Sequence, residues 1–222
     1  MTKSDLRLPY PPIPDRLQQI DALTLDEHWH IGVDDECFFL WERVTGAKYD
    51  QYATNQLIKN IKIPTSYRDQ PRWFWKVQAI DYAASALSRL LPEPWRNATF
   101  VPIPPSLTKG NPDHDPRVLD LLHTVRPRLP DIRELVLLNA DAVANEKNIS
   151  PEARAENYRI NEECECPEPI DIIIVDDMLA GGSHFKGMKI VLNGRFPQAR
   201  VYGLFLSRAI RPNPAPILDG LI

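Results

Sequence analysis

The run Ile172-Ile173-Ile174-Val175-Asp176-Asp177 constrains the fold more than any other stretch of the chain. Four β-branched residues in succession, without polar alternation, read as a strand covered on both faces. Such a strand belongs to a parallel α/β sheet, and those sheets take ligands at the carboxyl ends of their strands. The two carboxylates stand at that end. Met178-Leu179-Ala180-Gly181-Gly182-Ser183-His184 follows, a loop small enough for backbone amides to approach an anion closely. Beyond it Phe185, Met188, Val191 and Leu192 recur at helical spacing. Ser183 is therefore expected to cap a helix, with Gly194 at its carboxyl end. Acids that accept from sugar hydroxyls, above amides that hold a phosphate, suit a ribose phosphate.

The rest of the chain supplies the layers around that strand. Leu17 to Leu25 reads as a short helix, and Cys37 to Val44 as a strand ended by Thr45-Gly46. Asp50 to Ile61 places Tyr52, Leu57, Ile58 and Ile61 on one helix face. Trp73, Val77, Ile80, Ala84, Leu87 and Leu91 mark a long helix stopped by Pro92. Trp73 and Trp75 are expected in the core or a packing face rather than stacked on a ligand. Thr99 to Ile103 is a short strand leaving into a proline turn. Asp115-Pro116 is an N-cap and first-turn proline for a helix to about Val125. Leu135 to Leu138 is another short buried strand. Ser150-Pro151-Glu152 opens a helical piece carrying Arg154, Asn157 and Arg159, and Arg200 to Ser207 is the last strand. From residue 99 the alternation of strands and helices predicts a parallel sheet with right-handed crossovers. The expected fold is thus α/β, one domain over 1–222. Residues 1–97 form an α+β elaboration, 98–208 the core and 209–222 a proline-rich tail.

Composition narrows the function. The net charge is −4, with no run of basic residues, so neither nucleic acid nor a membrane surface is indicated as a partner. No apolar run approaches a bilayer span, and Met1 to Pro14 is polar and proline-rich rather than a signal peptide. Cys37, Cys164 and Cys166 form neither a disulfide framework nor a four-cysteine zinc site, so reduced thiols and a cytoplasmic location are expected. The 22 prolines cluster in connections and tails.

Val175 to His184 resembles the phosphoribosyl pyrophosphate (PRPP) motif of the type I phosphoribosyltransferases: an apolar strand, two acids, two apolar residues, then a phosphate loop. Val101-Pro102-Ile103-Pro104 is similar to the pyrophosphate-loop strand of that superfamily's ComF-like branch. Ala153-Arg154-Ala155-Glu156-Asn157-Tyr158 is similar to its Arg-x-x-Asn segment. The likeness covers roughly residues 98–208; the branch's cysteine-rich zinc element has no counterpart upstream. The resemblance implies a parallel-sheet phosphoribosyltransferase core. Asp176 and Asp177 would face the ribose hydroxyls and stabilise positive charge as the bond to pyrophosphate breaks. Ala180, Gly181, Gly182, Ser183 and His184 would hold the 5′-phosphate. Pro105, Ser106 and Lys109 would lie near the pyrophosphate, which arrives with Mg²⁺ held mainly by substrate oxygens. Arg154 would clamp the pyrophosphate, with Lys109 and Arg117 as further candidates. No residue is assigned as a protein metal ligand.

The chain departs from the motif where threonines are usual, at Ala180, Gly181 and His184. Two lost charge-assisted hydrogen bonds, each about 1.5–3 kcal/mol, would weaken phosphate binding about a hundredfold or more unless replaced. His184 is expected to compensate by protonating below a pH of roughly 6.5. Read without the resemblance, the same residues are a buried strand ending in a solvated acid pair. Other acid-ended strands fit worse. A receiver-type acidic pocket needs more chain after the acids, and a Walker-B acid needs an upstream Gly-Lys-Ser/Thr loop that is absent. Two main readings stay open: a PRPP-dependent transferase acting on a nitrogen nucleophile, or a non-catalytic PRPP- or nucleotide-binding module in a DNA-uptake, defence or regulatory assembly. A protein partner or a homodimer is compatible with these readings. An α/β interaction protein without a ligand is the third.

Overall fold

The computed structural model describes residues 10–141, 149–164 and 167–211. Residues 1–9, Cys166 and the proline-rich tail beyond residue 211 lie outside the described residues. Seven strands and five α-helices follow in order: β1 (Gln18–Gln19), β2 (Cys37–Val44), α1 (Ala53–Ile61), α2 (Trp73–Leu90), β3 (Thr99–Pro102), α3 (Arg117–Thr124), β4 (Val136–Leu138), α4 (Pro151–Glu156), β5 (Tyr158–Ile160), β6 (Asp171–Leu179), α5 (Ser183–Arg195) and β7 (Arg200–Ile210). The main sheet has the order β1-β2-β7-β6-β3. Its four longer strands are parallel, and only the short β1 runs antiparallel, against β2. The fold is therefore α/β with a mostly parallel sheet.

β6 lies between β7 and β3 and is buried on both faces, as its composition requires. Ile172, Ile173, Ile174 and Val175 are all inaccessible to solvent. Alternation splits them between two layers. Ile173 and Val175 join Leu57, Ile61, Leu87 and Leu121 beneath α1, α2 and α3. Ile172 and Ile174 join Phe185, Met188 and Leu192 beneath α5. The N-terminal part contributes to the same sheet: β2 pairs with β7 from Cys37↔Gly203 to Val44↔Ile210.

Several local expectations are corrected. Leu17 to Leu25 is not a helix. Gln18–Gln19 pairs with β2, and Asp21 and Thr24 satisfy each other's polar groups in a local turn that competes with helix formation. Leu135 to Leu138 does not enter the parallel sheet. β4 pairs antiparallel with β5, from Val136↔Ile160 to Leu138↔Tyr158, in a separate ribbon. Arg159 thus stands on a strand, after α4 has ended. Ser183 is the first residue of α5 rather than its cap, and the preceding Gly182 takes the cap position at φ +93°. Ser150 does cap α4, its hydroxyl accepting from the Ala153 amide at 3.2 Å.

Ile80, Ala84, Leu87 and Leu91 are buried as their spacing predicts, but the start of α2 departs from that face. Val77 is 44% exposed and Trp73 and Trp75 are half-buried, whereas Ala79, Ala83, Ala86 and Lys76 are fully covered. The alanines let the helix lie close to its neighbours. Lys76 is inside because its ammonium has work there: it donates to the carbonyls of Ile61 and Ile63 and to both oxygens of Asp115, at 2.7–2.9 Å. Asp115 is consequently not an N-cap. A buried ammonium left unpaired costs more than the roughly 0.5–2 kcal/mol that a cap contributes.

Lys76→Met is expected to destabilise the protein by about 3–5 kcal/mol, because Asp115 would be left without its main counter-charge. Thermal unfolding should then show a midpoint lower by roughly 10 °C. An unchanged midpoint would show that the pair does not hold the fold.

Candidate functional site

The cleft begins where β3 and β6 end. β6 continues through the two acids, so the pleat sends Asp176 and Asp177 to opposite faces of the sheet. Asp177 points toward the layer that holds α1 and α3 and is 2% exposed. Both of its oxygens are engaged: Oδ1 lies 2.8 Å from Nζ of Lys62, and Oδ2 accepts from Nε of Arg117 at 2.6 Å. Burial alone would push its carboxyl up. The charges of Lys62 and Arg117 outweigh that and hold it below the usual carboxylate range. Asp176 points the other way, partly exposed on the cleft floor, where it accepts the Asp177 amide at 2.7 Å. Burial, and then the neighbouring Asp177 charge, push its carboxyl up to about 7.

The loop after β6 is shaped by a segment that carried no signal in the sequence. His28, fully buried, donates from Nδ1 to the Ala180 carbonyl, and the His30 amide donates to the Gly181 carbonyl at 2.9 Å. Trp29 lies over Gly181, so that a Cβ there would stand 2.5 Å from the indole. Ile31 lies against Gly182, where a Cβ would meet its side chain at 2.6 Å. The two glycines are thus required by close packing as well as by the left-handed turn at Gly182. The loop carbonyls are thus held from this side, and the first amides of α5 have no intrahelical partner.

A cavity of about 420 Å³ opens there. Asp176, Asp177, the whole run 180–184, Arg154 and Ser106 line it, together with Trp29, His30, Lys62 and Arg117. The structure therefore brings the acids, the glycine loop, Arg154 and Ser106 to one place. Pro105 and Lys109 line a neighbouring cavity of about 360 Å³, covered by β4 and β5, and Lys109 pairs with Glu134 at 2.7 Å. The two cavities share Ile103, Arg117 and Asp176, so they form one cleft. Sequence reasoning missed Lys62, Trp29 and His30. None of them sits in a recognisable spacing, and Nε2 of His30 is buried beside the cavity with no protein partner.

His184 does not behave as expected. Burial and the nearby Arg154 charge lower its imidazole to about 4, so it is neutral where protonation was expected to assist phosphate binding. Its Nδ1 lies 2.8 Å from the hydroxyl of the buried Tyr158. It serves as a neutral hydrogen-bonding group. Among the described residues, no cluster of three or more His, Cys, Asp or Glu offers a metal site. Nor is any helix among them long and apolar enough to cross a membrane. The chain matches no protein-family model and no curated protein.

Gly182→Ala should destabilise the protein by about 1–3 kcal/mol, since it adds both a strained φ and a clash with a buried Ile31. Gly181→Ala should cost less, because Trp29 is 54% exposed and can move. Adding Trp29→Ala should relieve the Gly181→Ala penalty in chemical denaturation. Additive losses in that pair would contradict the packing described.

Proposed function

We propose that the cleft binds PRPP, or another ligand containing ribose 5-phosphate, and transfers the phosphoribosyl group to a nitrogen nucleophile. The bond from C1 to the pyrophosphate oxygen would break, a C1–N bond would form, and the proton displaced from nitrogen would pass to solvent. Mg²⁺ would enter on the pyrophosphate as part of the substrate. One observation carries the reading: Asp176, the residues at the start of α5 and Arg154 line a single cavity. An acceptor for sugar hydroxyls, an anion cradle and a cation are what a ribose phosphate requires. The neighbouring cavity, lined by Ile103, Leu107, Val136 and Leu138, adjoins Asp176, where the nucleophile would have to arrive.

A second reading has an observation of its own. The charge of Asp177 is directed at Lys62 and Arg117 rather than at a developing positive centre. That favours a module that holds PRPP or a nucleotide without turnover.

Calorimetric titration with Mg²⁺–PRPP between pH 5.5 and 8.5 tests both. Sugar hydroxyls donate to the ionised form of Asp176, whose carboxyl is raised to about 7. Binding should therefore release a proton below pH 7 and tighten up to about tenfold per unit as the pH rises toward it, beyond the ligand's own phosphate titration. Asp176→Asn should weaken binding and abolish that extra slope. Pyrophosphate release with a nitrogen acceptor would support transfer; saturable binding without release would support the module. Absence of binding by the folded protein would overturn both.

A further inference from the structure

Lys62 stands where a cation at the acid pair would be most useful. It follows α1 directly, and its amide donates to the Ile58 carbonyl at 3.1 Å. The carbonyls on both sides of it, of Ile61 and Ile63, accept from the buried Lys76 ammonium. The backbone that carries Lys62 is thus fixed from within. Its side chain is 37% exposed and lines the 420 Å³ cavity, while its ammonium meets Asp177 Oδ1 at 2.8 Å. The other oxygen of Asp177 accepts from Arg117, whose second nitrogen lies 3.4 Å from Asp115, the partner of Lys76. The chain Lys62–Asp177–Arg117–Asp115–Lys76 therefore closes on itself through the backbone at residues 61–63.

A hard divalent cation needs several oxygen ligands with free lone pairs and no competing charge. Asp177 meets this poorly, because each oxygen already has a lone pair directed at a cation. Both of its oxygens are engaged, and two cations lie within hydrogen-bonding distance of it. Asp176 alone remains, with one oxygen already accepting the Asp177 amide. The donor set does not suit a metal ion at the acid pair.

We infer that the Lys62 ammonium is a tethered replacement for a divalent cation at this carboxylate pair. With Arg117 it offsets the Asp177 charge, and its remaining N–H groups donate to an oxygen of an anionic ligand in the cavity. The ligand-facing side of the acid pair then works without a resident metal, whichever anion the cavity takes.

The test uses Mn²⁺ alone as probe, followed by electron paramagnetic resonance, on the full chain. The wild-type protein should show no saturable Mn²⁺ site that depends on Asp177. Lys62→Ala, folded by circular dichroism, should gain a site at least tenfold tighter than any on the wild type, and adding Asp177→Asn should remove it. Lys62→Arg should remain without it. Wild-type Mn²⁺ binding that Asp177→Asn abolishes, or no gain in Lys62→Ala, would overturn the inference. Ribose 5-phosphate binding in EDTA gives a separate check: it should be unchanged in the wild type and weakened about tenfold or more in Lys62→Ala. If the wild type binds no ribose 5-phosphate, the ligand reading above fails, while the Mn²⁺ result still decides the role of Lys62.

Discussion

The buried Asp177 carboxylate is the point on which the cleft end of this protein depends. It stands at the end of a strand too apolar to sit anywhere but the middle of the sheet. A charge there demands partners, and they come from two different helices: Lys62 from the end of α1 and Arg117 from the start of α3. Those helices are in turn joined by Lys76, which reaches from α2 to the end of α1 and to Asp115 ahead of α3. One acid on β6 thus organises three helices around the mouth of the cleft. Removing Asp177 or Lys76 would leave a buried charge without its main partner, which is costly in a low-dielectric setting.

The same arrangement divides labour between two adjacent acids. Strand alternation turns Asp177 inward to hold the helices and Asp176 outward to the loop. Their protonation follows from those surroundings. Asp177 has cations on both oxygens, which hold its carboxyl below the usual range, while partial burial and the adjacent Asp177 charge raise that of Asp176. A group poised in this way responds to a ligand that offers hydrogen-bond donors, because binding favours the ionised form.

The core of this design was legible in the sequence wherever one local rule decided the outcome. The uninterrupted Ile172–Val175 run admits only a strand covered on both faces, and the loop and helix after it follow from Gly182 and the spacing of Phe185, Met188 and Leu192. Rules that depend on a partner were not legible. Leu135 to Leu138 reads as a buried strand, but nothing in it shows that its partner is Tyr158 to Ile160 rather than the main sheet. On α2 the spacing of Ile80, Ala84 and Leu87 did show the inward face, but it could not show that Lys76 is buried with them, because that burial depends on Asp115 far along the chain. The segment from His28 to Ile31 holds the glycine loop through a side chain and a backbone amide that meet loop carbonyls, contacts with no sequence period. His184 occupies its place beside the loop, but its neutrality is set by Arg154 and burial, which the sequence does not reveal.

The central claim is that the start of α5 and Asp176 together hold a phosphorylated ribose. Amide ¹H–¹⁵N spectra recorded during titration with ribose 5-phosphate test it most directly. Saturable shifts at Gly181, Gly182, Ser183 and His184, accompanied by Asp176 and absent from the far ends of β3 and β7, are the predicted result. Unmoved loop amides at saturating ligand, or shifts confined to the neighbouring cavity at Leu107 and Leu138, would contradict the account.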